Sequence, residues 1–322
     1  MNEFAPVRLT RLRKRFGRGL ALDGVDLSLE PGEVFGYLGP NGAGKTTTIR
    51  LLLGMLRPTS GQAEVFGLDS WRQPVAVHRL VGYVSGESAL YGRLTGRQHI
   101  AFFGHLRGRD DRAVATALAA RLDVDLGRPA RTLSRGNRQK LAIVLAVMSA
   151  PRLLILDEPT SGLDPLVQQE FHALLGEYTR AGGTVLFSSH VLGEVQRVAD
   201  RIGVIRRGRL IAVERLQELR ARSLQRIRAS FVEEVSGEDF AGIRGVQDLV
   251  IGDRSLSCSA PQYALDALLK QVSRRSVIDF ECAETDLEET FLSYYGPGDT
   301  DADSDAHHDA DHEAPGGGSD AG

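Results

Sequence analysis

One loop constrains this chain more than any other feature. Gly39-Pro40-Asn41-Gly42-Ala43-Gly44-Lys45-Thr46 fits G-x-x-x-x-G-K-[ST], and it lies between an apolar run, Val34–Leu38, and a helical pattern from Thr46 to Met55. Glycines at these positions let successive backbone N–H groups turn inward, and the helix N-terminus behind them adds a favourable dipole. The loop is thus built to cradle the β- and γ-phosphates of a nucleotide, with Lys45 reaching their oxygens, the Thr46 hydroxyl ligating Mg²⁺ and Thr47 supporting the α-phosphate. In a chain with 36 glycines and the four lysines Lys14, Lys45, Lys140 and Lys270, a chance match is roughly a one-in-two-hundred event. Arginine is the usual cation of this chain, yet the loop keeps a compact ammonium.

A second run completes the chemistry. Leu153-Leu-Ile-Leu-Asp157-Glu158 is an apolar strand that ends in two carboxylates. An aspartate ending a buried strand beside a phosphate loop holds Mg²⁺, usually through water, and Glu158 is the residue placed to polarise an attacking water.

Around these runs the pattern alternates. Residues Val7 to Leu29 read as strands joined by a turn at Gly17–Gly19, and strand-like runs return at Leu153–Leu156 and Thr184–Ser188, separated by a helix over Pro165–Arg180. Apolar runs alternating with helices imply an α/β fold whose mostly parallel sheet is covered on both faces. Between Leu90 and Leu133 the segments are helical, Ala113–Leu122 among them, and Ile202 to Ile211 reads as a hairpin turning at Gly208. The expected domains are a nucleotide-binding domain over 1–220, with a helical subdomain at about 88–135, and a small α+β domain over 221–295. The second would hold strands at Ile227–Val232 and Ser276–Phe280, a helix at Tyr263–Val272, and a last helix capped by Thr285 with Glu288. Residues 296–322 are Gly, Asp, Ala and His, lack the apolar content for a core, and read as a disordered acidic tail.

The formal net charge of −3 hides an asymmetry, because that tail carries eight acidic residues and no Lys or Arg, leaving the body at +5. Two cysteines, Cys258 and Cys282, argue against a disulfide framework. No stretch has the order of a signal peptide, and the longest apolar run, Leu141–Ala150, is about half the roughly 20 residues of a membrane span. The chain is therefore expected in the cytosol, and a membrane role requires a separate partner.

Leu133-Ser134-Arg135-Gly136-Asn137 resembles the signature motif of the ATP-binding cassette ATPases, whose usual form is Leu-Ser-Gly-Gly-Gln. The resemblance extends from Leu9 to about Val213: Ser161-Gly-Leu-Asp164 is similar to the D-loop, His190 to the switch histidine, and Phe16 to the aromatic that stacks on adenine. It implies a P-loop NTPase core, RecA-like, with an antiparallel N-terminal β part and an all-helical subdomain. It also implies that Ser134 and Gly136, at a capped helix start, contact the γ-phosphate of ATP held by the other subunit of a homodimer. Arg135 and Asn137 depart from the usual residues. So does Gly86, where the family has a glutamine that senses Mg²⁺ and the attacking water; either Glu87 takes that role or the contact is absent.

The implied function is ATP hydrolysis coupled to a separate multi-span permease at the inner face of the membrane. Asp286-Leu-Glu-Glu-Thr-Phe-Leu-Ser-Tyr-Tyr-Gly296 resembles the tail of the bacterial exporter subclass in which drug and antibiotic exporters are prominent, a tail that lipid, polysaccharide and copper-linked systems share. Two alternatives stand beside it. A soluble non-transport ATPase would carry a second cassette or long heptads, and an importer ATPase would carry a β-rich C-terminal barrel. No nucleic-acid partner is expected.

Overall fold

A computed structural model describes residues 4–86, 89–222, 224–240 and 242–284. The Thr285 capping box, the last helix, Glu87 and the acidic tail lie outside the described residues. The chain folds as two compact units, parted between Arg222 and Ser223.

The first unit opens with β1 (Val7–Phe16) and β2 (Gly19–Ser28), an antiparallel pair in which Arg8 faces Ser28 and Phe16 faces Gly19. After β3 (Val34–Leu38) and α1 (Lys45–Leu52) come β4 (Ser60–Val65) and β5 (Leu68–Asp69), which complete an antiparallel sheet of order β2-β1-β4-β5. Helix α1 starts one residue earlier than the sequence pattern and stops short of Met55, because the backbone turns left-handed at Gly54 (φ +64°) against the Ser70 carbonyl.

The chain continues through α2 (Pro74–Leu80), β6 (Val81–Val84), α3 (Gly96–Arg107), α4 (Arg112–Arg121) and α5 (Arg135–Val147). It then forms β7 (Leu153–Asp157), α6 (Pro165–Arg180), β8 (Thr184–Ser189), α7 (Leu192–Val198), the hairpin β9 (Arg201–Arg206) and β10 (Arg209–Arg215), and α8 (Leu216–Arg222). The second sheet has the order β10-β9-β3-β8-β7-β6, parallel throughout except for β10. Strands β3, β7 and β8 are buried along their whole length, which is why β3 and β7 read as apolar runs and β8 has an apolar centre, Val185–Phe187. One core joins Leu9, Leu12 and Val25 of the antiparallel sheet to Ile49 and Leu52 of α1 and to Tyr37, Ile155 and Leu186 of the parallel one.

The second unit contains β11 (Leu224–Phe231), β12 (Gln247–Gly252), β13 (Ser255–Pro261), α9 (Leu265–Val272) and β14 (Val277–Glu284). Its open antiparallel sheet has the order β12-β13-β11-β14, and its core gathers Ile227, Phe231, Phe240, Leu256 and Leu268. Two of these strands, β12 and β13, have no clear signature in the sequence. In β13, Leu256, Cys258 and Ala260 face inward between serines, and the burial alternation reveals the strand. Among the described residues no helix is long and apolar enough to cross a membrane.

Candidate active site

The phosphate loop hangs between β3 and α1. Gly44 caps α1 at φ +113°, and a Cβ there would lie 2.7 Å from Leu22 Cδ2 and 2.9 Å from the Ala21 carbonyl, so only glycine fits. The Gly39 amide donates to Ser189 O at 3.3 Å, and the Gly208 amide to Ala43 O at 2.9 Å, so β8 and the β9–β10 turn brace the loop. Asn41 and Gly42 at its crest are exposed, and Thr47 is half-buried.

Lys45 is only 5% exposed. Its Nζ donates to Gly39 O at 2.6 Å and Pro40 O at 3.1 Å, and lies 3.6 Å from Glu158 Oε1. Burial lowers its pKa, while the charges of Glu158 and Asp157 push the other way. The ammonium is thus partly desolvated and strongly attracted to any anion that enters the loop.

Asp157 ends β7. Its Oδ2 accepts from Thr46 Oγ1 at 2.9 Å and its Oδ1 from Ser188 Oγ at 2.5 Å, which ties the carboxyl ends of neighbouring parallel strands to the start of α1. Beside it, Tyr83 is pushed up to about 12, first by burial and then by the Asp157 charge, so this phenol stays neutral. Glu158 adopts φ +48°, a conformation that non-glycine residues hold only under restraint. Its amide donates to Ser188 O at 3.1 Å, and its Oε1 lies 3.1 Å from His190 Nδ1. Gly86 backs onto these two residues: a Cβ on it would stand 3.3 Å from Asp157 O and 3.7 Å from Glu158 Cβ.

Lys45, Thr46, Asp157, Glu158 and His190 are therefore together, at the C-terminal ends of β3, β7 and β8, where ligands bind to open α/β sheets. Ser134 caps α5, its hydroxyl accepting from the Asn137 amide at 3.2 Å. That helix packs on β6, three strand spacings from β3, or roughly 14 Å across the sheet. Among the described residues no hydrogen bond or ion pair joins Ser134 or Gly136 to the phosphate loop. Phe16 ends β1 and is 50% exposed, with Lys14 Nζ 4.9 Å from its ring centre, so it is no part of the core. Sequence reasoning gives no role to Ser188 or Tyr83; the hydroxyls of the Ser188-Ser189 pair just before His190 are the available signal for the first.

The ABC transporter family matches residues 22–161. The probable multidrug ABC transporter ATP-binding protein YbhF of Escherichia coli (strain K12) is 38% identical over 222 residues, 67% of this chain and 38% of that protein. The chain thus spans well under half the length of that relative. The daunorubicin resistance ATP-binding protein DrrA3 of Streptomyces coeruleorubidus is 43% identical over 213 residues, 65% of this chain and 67% of that protein. A solved ATP binding subunit of an ABC transporter superposes with a TM-score of 0.62 at 28% identity, over 66% of this chain and 91% of that one. Identity at this level, sustained across two thirds of a full-length relative and shared with the solved fold, means that the chain belongs to the ATP-binding proteins of the ABC transporter family.

Proposed function

We propose that two copies of this chain close around two Mg-ATP molecules, hydrolyse them, and so drive export through a separate multi-span permease at the inner face of the membrane. The observation that carries this reading is the divided site. Loop, lysine and carboxylates converge at one end of the parallel sheet, while the capped start of α5 belongs to a helix packed on β6, three strand spacings from β3, and among the described residues makes no hydrogen bond to the loop. A second copy, facing the first, supplies the missing helix end.

In this reading Gly39–Thr46 wraps the phosphates and Phe16 stacks on the adenine. Thr46 and Asp157 offer the hard oxygen donors that suit Mg²⁺, which takes one or two protein oxygens and fills the rest with water and phosphate. When bound, that ion neutralises charge on the β- and γ-phosphates. Glu158 takes a proton from water as its oxygen bonds the γ-phosphorus, and the bond from that phosphorus to the departing ADP breaks. Lys45 balances the phosphate charge, and His190 orients the Glu158 carboxylate. The unit ending at Arg222 is the ATPase domain, and the unit that begins at Ser223, two residues later than the expected boundary, is an accessory domain. Export of drugs or other hydrophobic cargo is supported by the relatives, one named a probable multidrug and the other a daunorubicin resistance ATP-binding protein.

Phosphate release by the purified chain tests the first part. It should require Mg²⁺, and activity per molecule should rise with protein concentration before levelling off; activity independent of concentration would remove the shared site. Stimulation by a reconstituted permease separates a transporter subunit from a non-transport ATPase.

A further inference from the structure

The first two turns of α5 grip the segment that follows Glu158. Arg135 Nη2 donates to Ser161 Oγ at 3.0 Å. Gly136 lies so close to Gly162 that a Cβ on it would stand 2.5 Å from the Gly162 carbonyl. Gln139 Nε2 donates to Pro159 O at 3.1 Å, and Lys140 Nζ lies 3.9 Å from Asp164 Oδ2. Positions 135, 136, 139 and 140 share one face of the helix, because residues three to four apart are neighbours there.

Ser161 is the point where this grip reaches the reacting end of the site. Its hydroxyl takes the Arg135 guanidinium, and its amide donates to Glu158 O at 3.3 Å. Two hydrogen bonds therefore run from the start of α5 to the backbone of a residue held at φ +48°. Such a conformation persists only when surrounding contacts over-determine it. Glu158 has two of these in its backbone, the bond from Ser161 and its own amide bond to Ser188 O.

We propose that Arg135, which stands where the family's usual motif has glycine, is a positioning residue for Glu158: it pins Ser161, and Ser161 holds the Glu158 backbone so that its carboxylate stays beside Lys45 and His190. The proposal rests on the ATPase reading. It also adds a link to it, since Arg135 directly follows Ser134. Whatever engages the start of α5 in a closed dimer is then one residue from the support of the base.

Steady-state hydrolysis by Arg135→Ala, Ser161→Ala and the double variant, as full chains with Mg-ATP, tests it. Each single change should lower kcat about tenfold, the scale of one hydrogen bond to a charged group, with KM for ATP within about twofold. The double variant should lose no more than either single one, because both break the same path. Arg135→Lys should recover part of kcat, and Tm should hold in all four, since Arg135 is exposed and Ser161 half-buried. A rise in KM at constant kcat would mean that Arg135 touches nucleotide directly, and would overturn the proposal. Additive losses or unchanged kinetics would overturn it as well. Should Arg135→Ala fail to fold, Ser161→Ala and Arg135→Lys decide the matter by the same split. A wild-type chain without Mg-ATP hydrolysis would sink the ATPase reading itself, which separates the two failures.

Discussion

The Thr46 hydroxyl donates to the Asp157 carboxylate at 2.9 Å, joining residues 111 positions apart. Each group keeps the other aimed at the mouth of the phosphate loop, and Ser188 fixes the second carboxylate oxygen at 2.5 Å. Asp157→Asn keeps the shape of this arrangement and removes its charge. The Mg²⁺ concentration that half-saturates hydrolysis should rise by about tenfold or more, as for other residues that hold a metal through water. A Mg²⁺ titration with unchanged midpoint would take Asp157 out of that role.

Glu158→Gln should still bind ATP and turn it over about 10²–10⁴-fold more slowly, the usual contribution of a general base. The amide is isosteric, so the restrained backbone at φ +48° has no reason to relax. With hydrolysis slowed, ATP should hold two copies together, and size exclusion with Mg-ATP should show a dimer that the wild type forms only transiently. A variant that remains monomeric at normal turnover would contradict the assignment.

Burial holds the Lys45 pKa below its ordinary 10.5, and this has two consequences of opposite sign. Between the lowered value and 10.5, the unfolded chain keeps a proton that the folded chain has shed, so this group favours folding as pH rises through that window. Nucleotide binding needs the ammonium, so ATP affinity should fall once pH passes the folded value, before 10.5 is reached. Titrating ATP across the alkaline range checks this, and an affinity flat up to 10.5 would refute it. Lys45→Ala should abolish binding, and Lys45→Arg should not restore it, because a planar guanidinium does not fit between the Gly39 and Pro40 carbonyls.

Phe16→Ala separates stacking from packing. The ring is half exposed, so its loss should leave Tm nearly unchanged while ATP affinity drops about fivefold, the low end of what base stacking on an aromatic provides. A fully buried phenylalanine would instead cost about 3–5 kcal/mol of stability on truncation. A large fall in Tm with unchanged affinity would therefore reverse the reading.

Much of this molecule was legible in its residues because the relevant forces are local. The glycines of 39–44 dictate a loop whatever surrounds it, and the short apolar runs of β3, β7 and the Val185–Phe187 centre of β8 suit strands buried on both faces. Ser134 announces a helix start through its own side chain, and the structure adds Asp164, whose carboxylate caps α6. The boundaries of α6 and the β9–β10 hairpin follow for the same reason, from Pro165 and Gly208. Where the local signal is thin, as in the serine-rich β13 and its partner β12, the strands emerge only once their neighbours are in place.

Strand order obeys no such local rule. Chain order runs β3, β7, β8, yet β8 lies between the other two, and that insertion brings Ser188 to Asp157 and the Ser188 carbonyl to the Glu158 amide. Packing at a distance also holds Glu158 left-handed, backs Gly86 onto the carboxylates and joins Arg135 to Ser161. None of these contacts has a periodicity or a spacing to read. Each depends on which surfaces meet once several elements have buried their apolar faces together, a choice made by the free energy of the whole core rather than by any one segment.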